Sequence, residues 1–150
     1  MTPRAAIYLH IERPWFGESR IAAWEKSLND LIKELLRQPK GPDHVLGELS
    51  SVEISVVDDE TIARVHGEFL GDPTPTDVIT FPHGDGVGEI LVSADTAEAY
   101  AAAHGMARDE ELFRYMVHGL VHLHGYLDGT PEERAGLFAV QEPLAAQYQP

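Results

Sequence analysis

His118 and His122 stand four residues apart, Gly125 follows, and Asp128 comes six residues after the second imidazole. On a helix, residues four apart share one face, about a turn from each other, so both imidazoles can point at one ion. A glycine after the last turn can take a left-handed conformation and reverse the chain. The reversal can then return Asp128 to the two imidazoles. Two histidines and a carboxylate make a three-donor site with one coordination position left open, the arrangement of a one-metal hydrolase. The chain has no cysteine, so any metal must sit on histidine and carboxylate. Zinc is the first expectation, another divalent metal the alternative. His124 competes as third ligand, but two residues from His122 is roughly 200° round a helix, which turns it away. His10, His44, His66, His83 and His104 are read as non-ligands. In a zinc-peptidase helix a glutamate follows the first histidine and acts as general base. Here that place is Gly119, which argues against a peptidase. Glu111, Glu89 and Asp77 stay open as alternative bases.

The elements that must position these groups follow from periodicity and caps. A first strand is predicted over 5–12, and a helix over 17–38, where Ile21, Trp24, Leu28, Leu31, Ile32 and Leu35 recur at helical spacing. Pro39 to Pro42 ends it. Residues 51–57 alternate as a strand, and Asp58 or Asp59 caps a helix reaching Phe69. Turn-rich loops flank a third strand over 77–81. A fourth strand covers 89–92, and Ser93 caps a helix over 94–104. Asp109 is expected to cap the helix of the histidine pair, which ends at Gly125. On that helix Glu111 and Tyr115 share the imidazole face, while Phe113, Met116, Val117, Leu120 and Leu123 form the burying face. Pro131, after Thr130, opens a final helix to about Ala146.

Residues 1–150 are read as a single domain, with 43% hydrophobic content and no repeat or interdomain linker. No apolar run is long enough to span a membrane, and the N-terminus lacks the pattern of a signal peptide. A cytoplasmic location is expected, with no membrane partner. The net charge of −14 would repel free nucleic acid at long range, which disfavours a free-standing basic RNA or DNA binder.

Four blocks carry a family resemblance. The His-Gly-x-x-His-Leu-x-Gly-Tyr stretch of residues 118–126 resembles that of the bacterial YbeY proteins. Pro75-Thr76-Asp77-Val78-Ile79-Thr80-Phe81-Pro82 is similar to their Pro-Thr-Asp-Val-Leu-Ser-Phe-Pro segment. Gly88-Glu89-Ile90-Leu91-Val92-Ser93 is similar to their Gly-Asp-Ile-x-Ile-Ser strand, and Val56-Val57-Asp58-Asp59 to the strand and helix start before these. The resemblance implies an α+β fold, a small four-stranded mixed sheet packed with about five helices, with the metal-binding helix central. It implies a metal-dependent, single-strand-specific endoribonuclease of rRNA maturation and ribosome quality control, with rRNA and the small ribosomal subunit or its assembly factors as partners, and no DNA. His118, His122 and Asp128 would hold the metal, and Thr76 and Asp77 would shape the catalytic site. Two positions depart from the family. Asp128 stands where it usually has histidine, and Leu70 where it has an arginine that could bind or polarise a phosphate. Arg64 and Arg114 are the candidate replacements. The departures leave two rival readings: a ribosome-assembly binding factor with a structural metal, or a metal hydrolase of another substrate.

Overall fold

The computed structural model describes residues 2–150. It contains a four-stranded mixed sheet and five α-helices among those residues, an α+β fold as expected. The strands are β1 (Arg4–Leu9), β2 (Ser51–Val57), β3 (Val78–Pro82) and β4 (Val87–Ser93), and the helices are α1 (Glu18–Leu35), α2 (Asp59–Leu70), α3 (Ala94–His104), α4 (Arg108–Leu123) and α5 (Pro131–Tyr148). The spatial order is β1-β2-β4-β3. β1, β2 and β4 run parallel, and β3 runs antiparallel along the edge beside β4.

Side chains alternate between the two faces of this sheet, and the two faces carry different cores. Ile7, Ile54 and Ile90 lie in register across three strands. With Val52, Val56 and Val92 they pack against Trp24, Leu28 and Leu31 of α1 and Phe113, Met116 and Val117 of α4. Each such buried side chain is worth roughly 1.5–3 kcal/mol relative to exposure. On the opposite face Val57, Ile79 and Leu91 meet Ile62 of α2, with Val65 and Phe81 at the margin. Val78 and Thr80 pair with Val92 and Ile90, so the even positions of β3 share the α4 side of the sheet.

Most predicted elements stand within a few residues of their expected bounds. Asp58 caps α2 by accepting from the Thr61 amide, Ser93 caps α3 through Thr96, and Thr130 caps α5 through Glu133. The α4 start differs. Ala107 is its N-cap and no side chain caps it. Asp109 sits inside the first turn, where its carboxylate accepts from Trp15 Nε1 at 2.5 Å and pairs with Arg20 at 3.3 Å. Partners from the other end of the chain have drawn it away from the cap. The first strand also stops at Leu9, short of Glu12.

Gly119 explains how closely α4 lies on the sheet. A Cβ there would come within 2.6 Å of Ile90 Cγ2. A glutamate after His118 would force Ile90 or the helix to shift, a reason independent of chemistry for glycine at the place of the peptidase base.

Candidate metal centre

α4 presents His118 and His122 toward edge strand β3, and their rings lie edge to face with centroids 4.6 Å apart. After Leu123 the chain turns through a Schellman motif: the Gly125 amide donates to the His122 carbonyl (2.9 Å) and the Tyr126 amide to the Val121 carbonyl (3.3 Å). Gly125 has φ 101°. Its Cα is pressed against Gly41, so that a Cβ on either glycine would collide with the other's backbone. The loop after α1 clamps this turn. The Gly41 and Val45 amides donate to the carbonyls of His124 and Leu123, Tyr126 Oη donates to the Pro39 carbonyl (2.7 Å), and His124 Nε2 donates to the Gln38 carbonyl (2.9 Å). His124 is buried and faces that loop, as its helical angle predicted.

The turn delivers Asp128 to the histidine pair. One carboxylate oxygen, Oδ2, lies 3.3 Å from His122 Nε2 and 3.6 Å from His118 Nε2. Among the described residues this is the group of three metal-capable side chains whose donor atoms lie mutually within 4.8 Å. Ligands about 2.1 Å from a tetrahedral ion stand about 3.4 Å apart, so both separations match edges of such a tetrahedron. On these two separations the donor set suits a single divalent ion. His44, His66 and His104 bond backbone carbonyls and His83 meets Glu89, so none of them joins the group.

The imidazoles are also prepared electronically. Burial, and then His122, hold His118 below the ordinary imidazole value, which favours the neutral, ligating form. Its Nδ1–H donates to Gln141 Oε1 at 2.6 Å, so Nε2 carries the lone pair that faces Asp128. Gln141 is 2% exposed on α5. Sequence reasoning passed over it, although a signal existed: it is the polar member of the otherwise apolar stripe Leu137, Leu144, Ala145. Replacing Gln141 with leucine frees the imidazole to rotate and change tautomer. The expected result is roughly a 10- to 100-fold loss of metal affinity by titration calorimetry, with all three ligands present.

The remaining predicted residues line the same cleft. A cavity of about 260 Å³ is bounded by His118, His122, Asp128, Thr76, Asp77 and Leu70, together with β3. Asp77 is anchored at both ends of its peptide. Its carbonyl accepts from the Ser93 amide, and its Oδ1 accepts from the Val78 amide (2.9 Å) and Thr76 Oγ1 (3.3 Å). Of the three candidate bases it alone borders the cleft. Glu111 is 3% exposed and bound to Arg114, and Glu89 pairs with His83. Burial and then Glu111 raise the Tyr115 hydroxyl well above the ordinary phenol range, so it does not ionise near neutrality. Arg114 is no simple substitute for a cation at position 70. Burial opposes its charge, but Glu142 and Glu111 outweigh that and hold it cationic with its fork occupied. Arg64 is exposed on α2 and outside the cleft. A roomier cavity of about 600 Å³ contains none of the metal group; its Arg108 is bound to Glu98 and its Asp58 to the Thr61 amide.

The family profile described as Endoribonuclease YbeY matches residues 16–149. The chain belongs to the YbeY family. Relatives named Endoribonuclease YbeY include one from Sulfurihydrogenibium, 32% identical over 80% of this chain and 80% of its own length. Another, from Geobacillus thermodenitrificans, is 31% identical over 79% of this chain and 85% of its length. A longer one from Myxococcus xanthus is 34% identical over 67% of this chain, which spans only 38% of that relative. The solution structure of TM1509 from Thermotoga maritima shares the fold, with a TM-score of 0.65 at 23% identity, covering 96% of this chain and 88% of that one. The YbeY match spans His118, His122 and Asp128, Leu70 and the β3 cleft.

Proposed function

We propose that this chain is a metal-dependent endoribonuclease that cuts single-stranded rRNA during ribosome maturation in the cytoplasm, with one zinc ion held by His118, His122 and Asp128. The observation that carries the reading is the meeting of two imidazole nitrogens and one carboxylate oxygen at 3.3 and 3.6 Å in a chain of the YbeY family. An ion held there would supply Lewis acidity toward water and the scissile phosphate. The protein's own groups do the rest. Gln141 keeps His118 in its ligating tautomer, and Thr76 orients the Asp77 carboxylate. Asp77 borders the same cleft and accepts the proton that the attacking water loses. The small ribosomal subunit or its assembly factors deliver the RNA, which a chain of net charge −14 does not attract at long range.

Wild-type protein is expected to cleave a single-stranded rRNA-end oligonucleotide, to stop on chelation and to recover on adding back zinc or another divalent ion. Wild type without cleavage under any metal would refute the nuclease reading. Leu70 favours a second reading in that case, a ribosome-assembly factor whose metal is structural, because the side chain bordering the cleft is apolar and 60% exposed. It would co-sediment with small subunits irrespective of His122. Leu70 also supplies a gain-of-function prediction. Leu70→Arg adds a charge-assisted bond to phosphate of about 1.5–3 kcal/mol, so kcat/KM for RNA should rise about tenfold or more. Steady-state kinetics at low salt checks it.

A further inference from the structure

A second cavity, of about 400 Å³, joins the metal cleft across Thr76, Asp77 and His118. Its volume lies within the roughly 300–1,000 Å³ typical of small-molecule pockets. Its lining includes two aromatic rings that are unusually open for their size, Tyr100 at 42% and Phe138 at 37% exposure. Both are braced. Tyr100 stacks on His104 with centroids 3.9 Å apart, and His104 Nδ1 bonds back to the Tyr100 carbonyl. Phe138 stands 6.3 Å from the His118 ring. The charged side chains of the lining are Asp77, Glu111 and Arg114, and Arg114 is already engaged by Glu111 and by Glu142 from outside the cavity, so the wall carries one occupied cation against its carboxylates. Such a wall repels phosphate and leaves a neutral planar group as the favoured occupant.

We propose that this cavity is a nucleobase subsite, in which one unpaired base beside the scissile linkage stacks on Phe138 and Tyr100. The proposal rests on the endoribonuclease reading and deepens it. It answers a question raised by Leu70 and the acidic chain: what holds RNA at a site with no free cation on its wall. Base–aromatic stacking is sequence-tolerant, needs no cation, and is confined to bases that are not already paired. Phe138 and Tyr100 are thus specificity residues, acting on the base and taking no part in the proton transfer.

The test uses oligonucleotides that carry 2-aminopurine or an abasic residue at each position flanking the cut, with wild type, Phe138→Ala, Tyr100→Ala and Phe138→Tyr. Each alanine variant is expected to raise KM about 5- to 100-fold, with the loss in KM rather than kcat, and Phe138→Tyr to recover most of it. An abasic residue at the correct position costs wild type a similar factor and costs Phe138→Ala little more, because both remove one contact. Fully additive losses, or variants with wild-type KM, overturn the subsite. A readout without cleavage separates the two levels. Quenching of 2-aminopurine on binding should persist in His122→Ala, whose side chain lies outside this cavity, and disappear in Phe138→Ala. Quenching without cleavage by wild type sinks the nuclease reading and keeps the subsite; cleavage without position-specific quenching does the reverse. Circular dichroism melts of each variant identify any that fail to fold.

Discussion

Replacing His118 with alanine is expected to lower metal-dependent RNA cleavage by at least about a hundredfold. Losing a partner outside the ligand shell costs roughly 10- to 100-fold in metal affinity or activity, and loss of a ligand should cost no less. Two donors remain, His122 and Asp128, and their 3.3 Å contact becomes an ordinary hydrogen bond. The substitution has a second effect that must be separated from the first. Gln141 Oε1 loses its 2.6 Å partner in a position only 2% exposed. An orphaned buried acceptor costs about 1–3 kcal/mol, so the variant should melt lower yet still fold. Cleavage rates and metal content measured on protein shown to be folded distinguish the causes. Wild-type cleavage by folded His118→Ala would assign the activity to a contaminant.

Gly125→Ala should produce the largest loss of stability while leaving every ligand in place. The residue sits at φ 101°, and its Cβ would fall 2.8 Å from the Pro42 carbonyl oxygen and closer still to the Gly41 carbonyl. Left-handed strain of about 1–2 kcal/mol and overpacking of about 1–3 kcal/mol add to about 2–5 kcal/mol. At about 2–4 °C per kcal/mol, the thermal midpoint should fall by about 4–20 °C. Metal affinity should fall as well, because Asp128 reaches the histidines only through this turn. Gly105→Ala is the control. It has φ 64° but open space around its Cβ, so it incurs the conformational cost alone, about 1–2 kcal/mol. Equal melting of the two variants would show that the Gly41–Gly125 contact does not hold the reversal.

The local parts of this account were legible in the chain because local physics encodes them. The alternating pattern of residues 51–57 and the helical apolar pattern of α1 located those two elements to within a few residues, and the caps Asp58 and Ser93 were readable as single side chains beside their own helices. The four-residue spacing of His118 and His122, and the glycine after them, were enough to expect that Asp128 returns to the two imidazoles, as it does. What stayed hidden depends on residues distant in sequence. The Gln38–Val45 loop gives no sign that it clamps the end of α4, since Tyr126 reaches Pro39 across 87 residues. Asp109 looks like a cap until Trp15, 94 residues away, claims its carboxylate. Gln141 looks like an ordinary helical glutamine until α5 is laid against His118. Arg114 reads as a free cation, and only the meeting of α4 with α5 shows that Glu142 takes its fork. The aromatic cavity combines α3, α4 and α5 with the β3 approach, and no periodicity in one element foretells it.

The most direct test of the central claim is metal content by plasma mass spectrometry on tag-free protein, wild type beside Asp128→Ala. About one equivalent in wild type, lost or sharply reduced in the variant, is the expected result for a closed set of His118, His122 and Asp128. Wild type that holds no ion even after reconstitution, or Asp128→Ala that keeps a full equivalent, would contradict it.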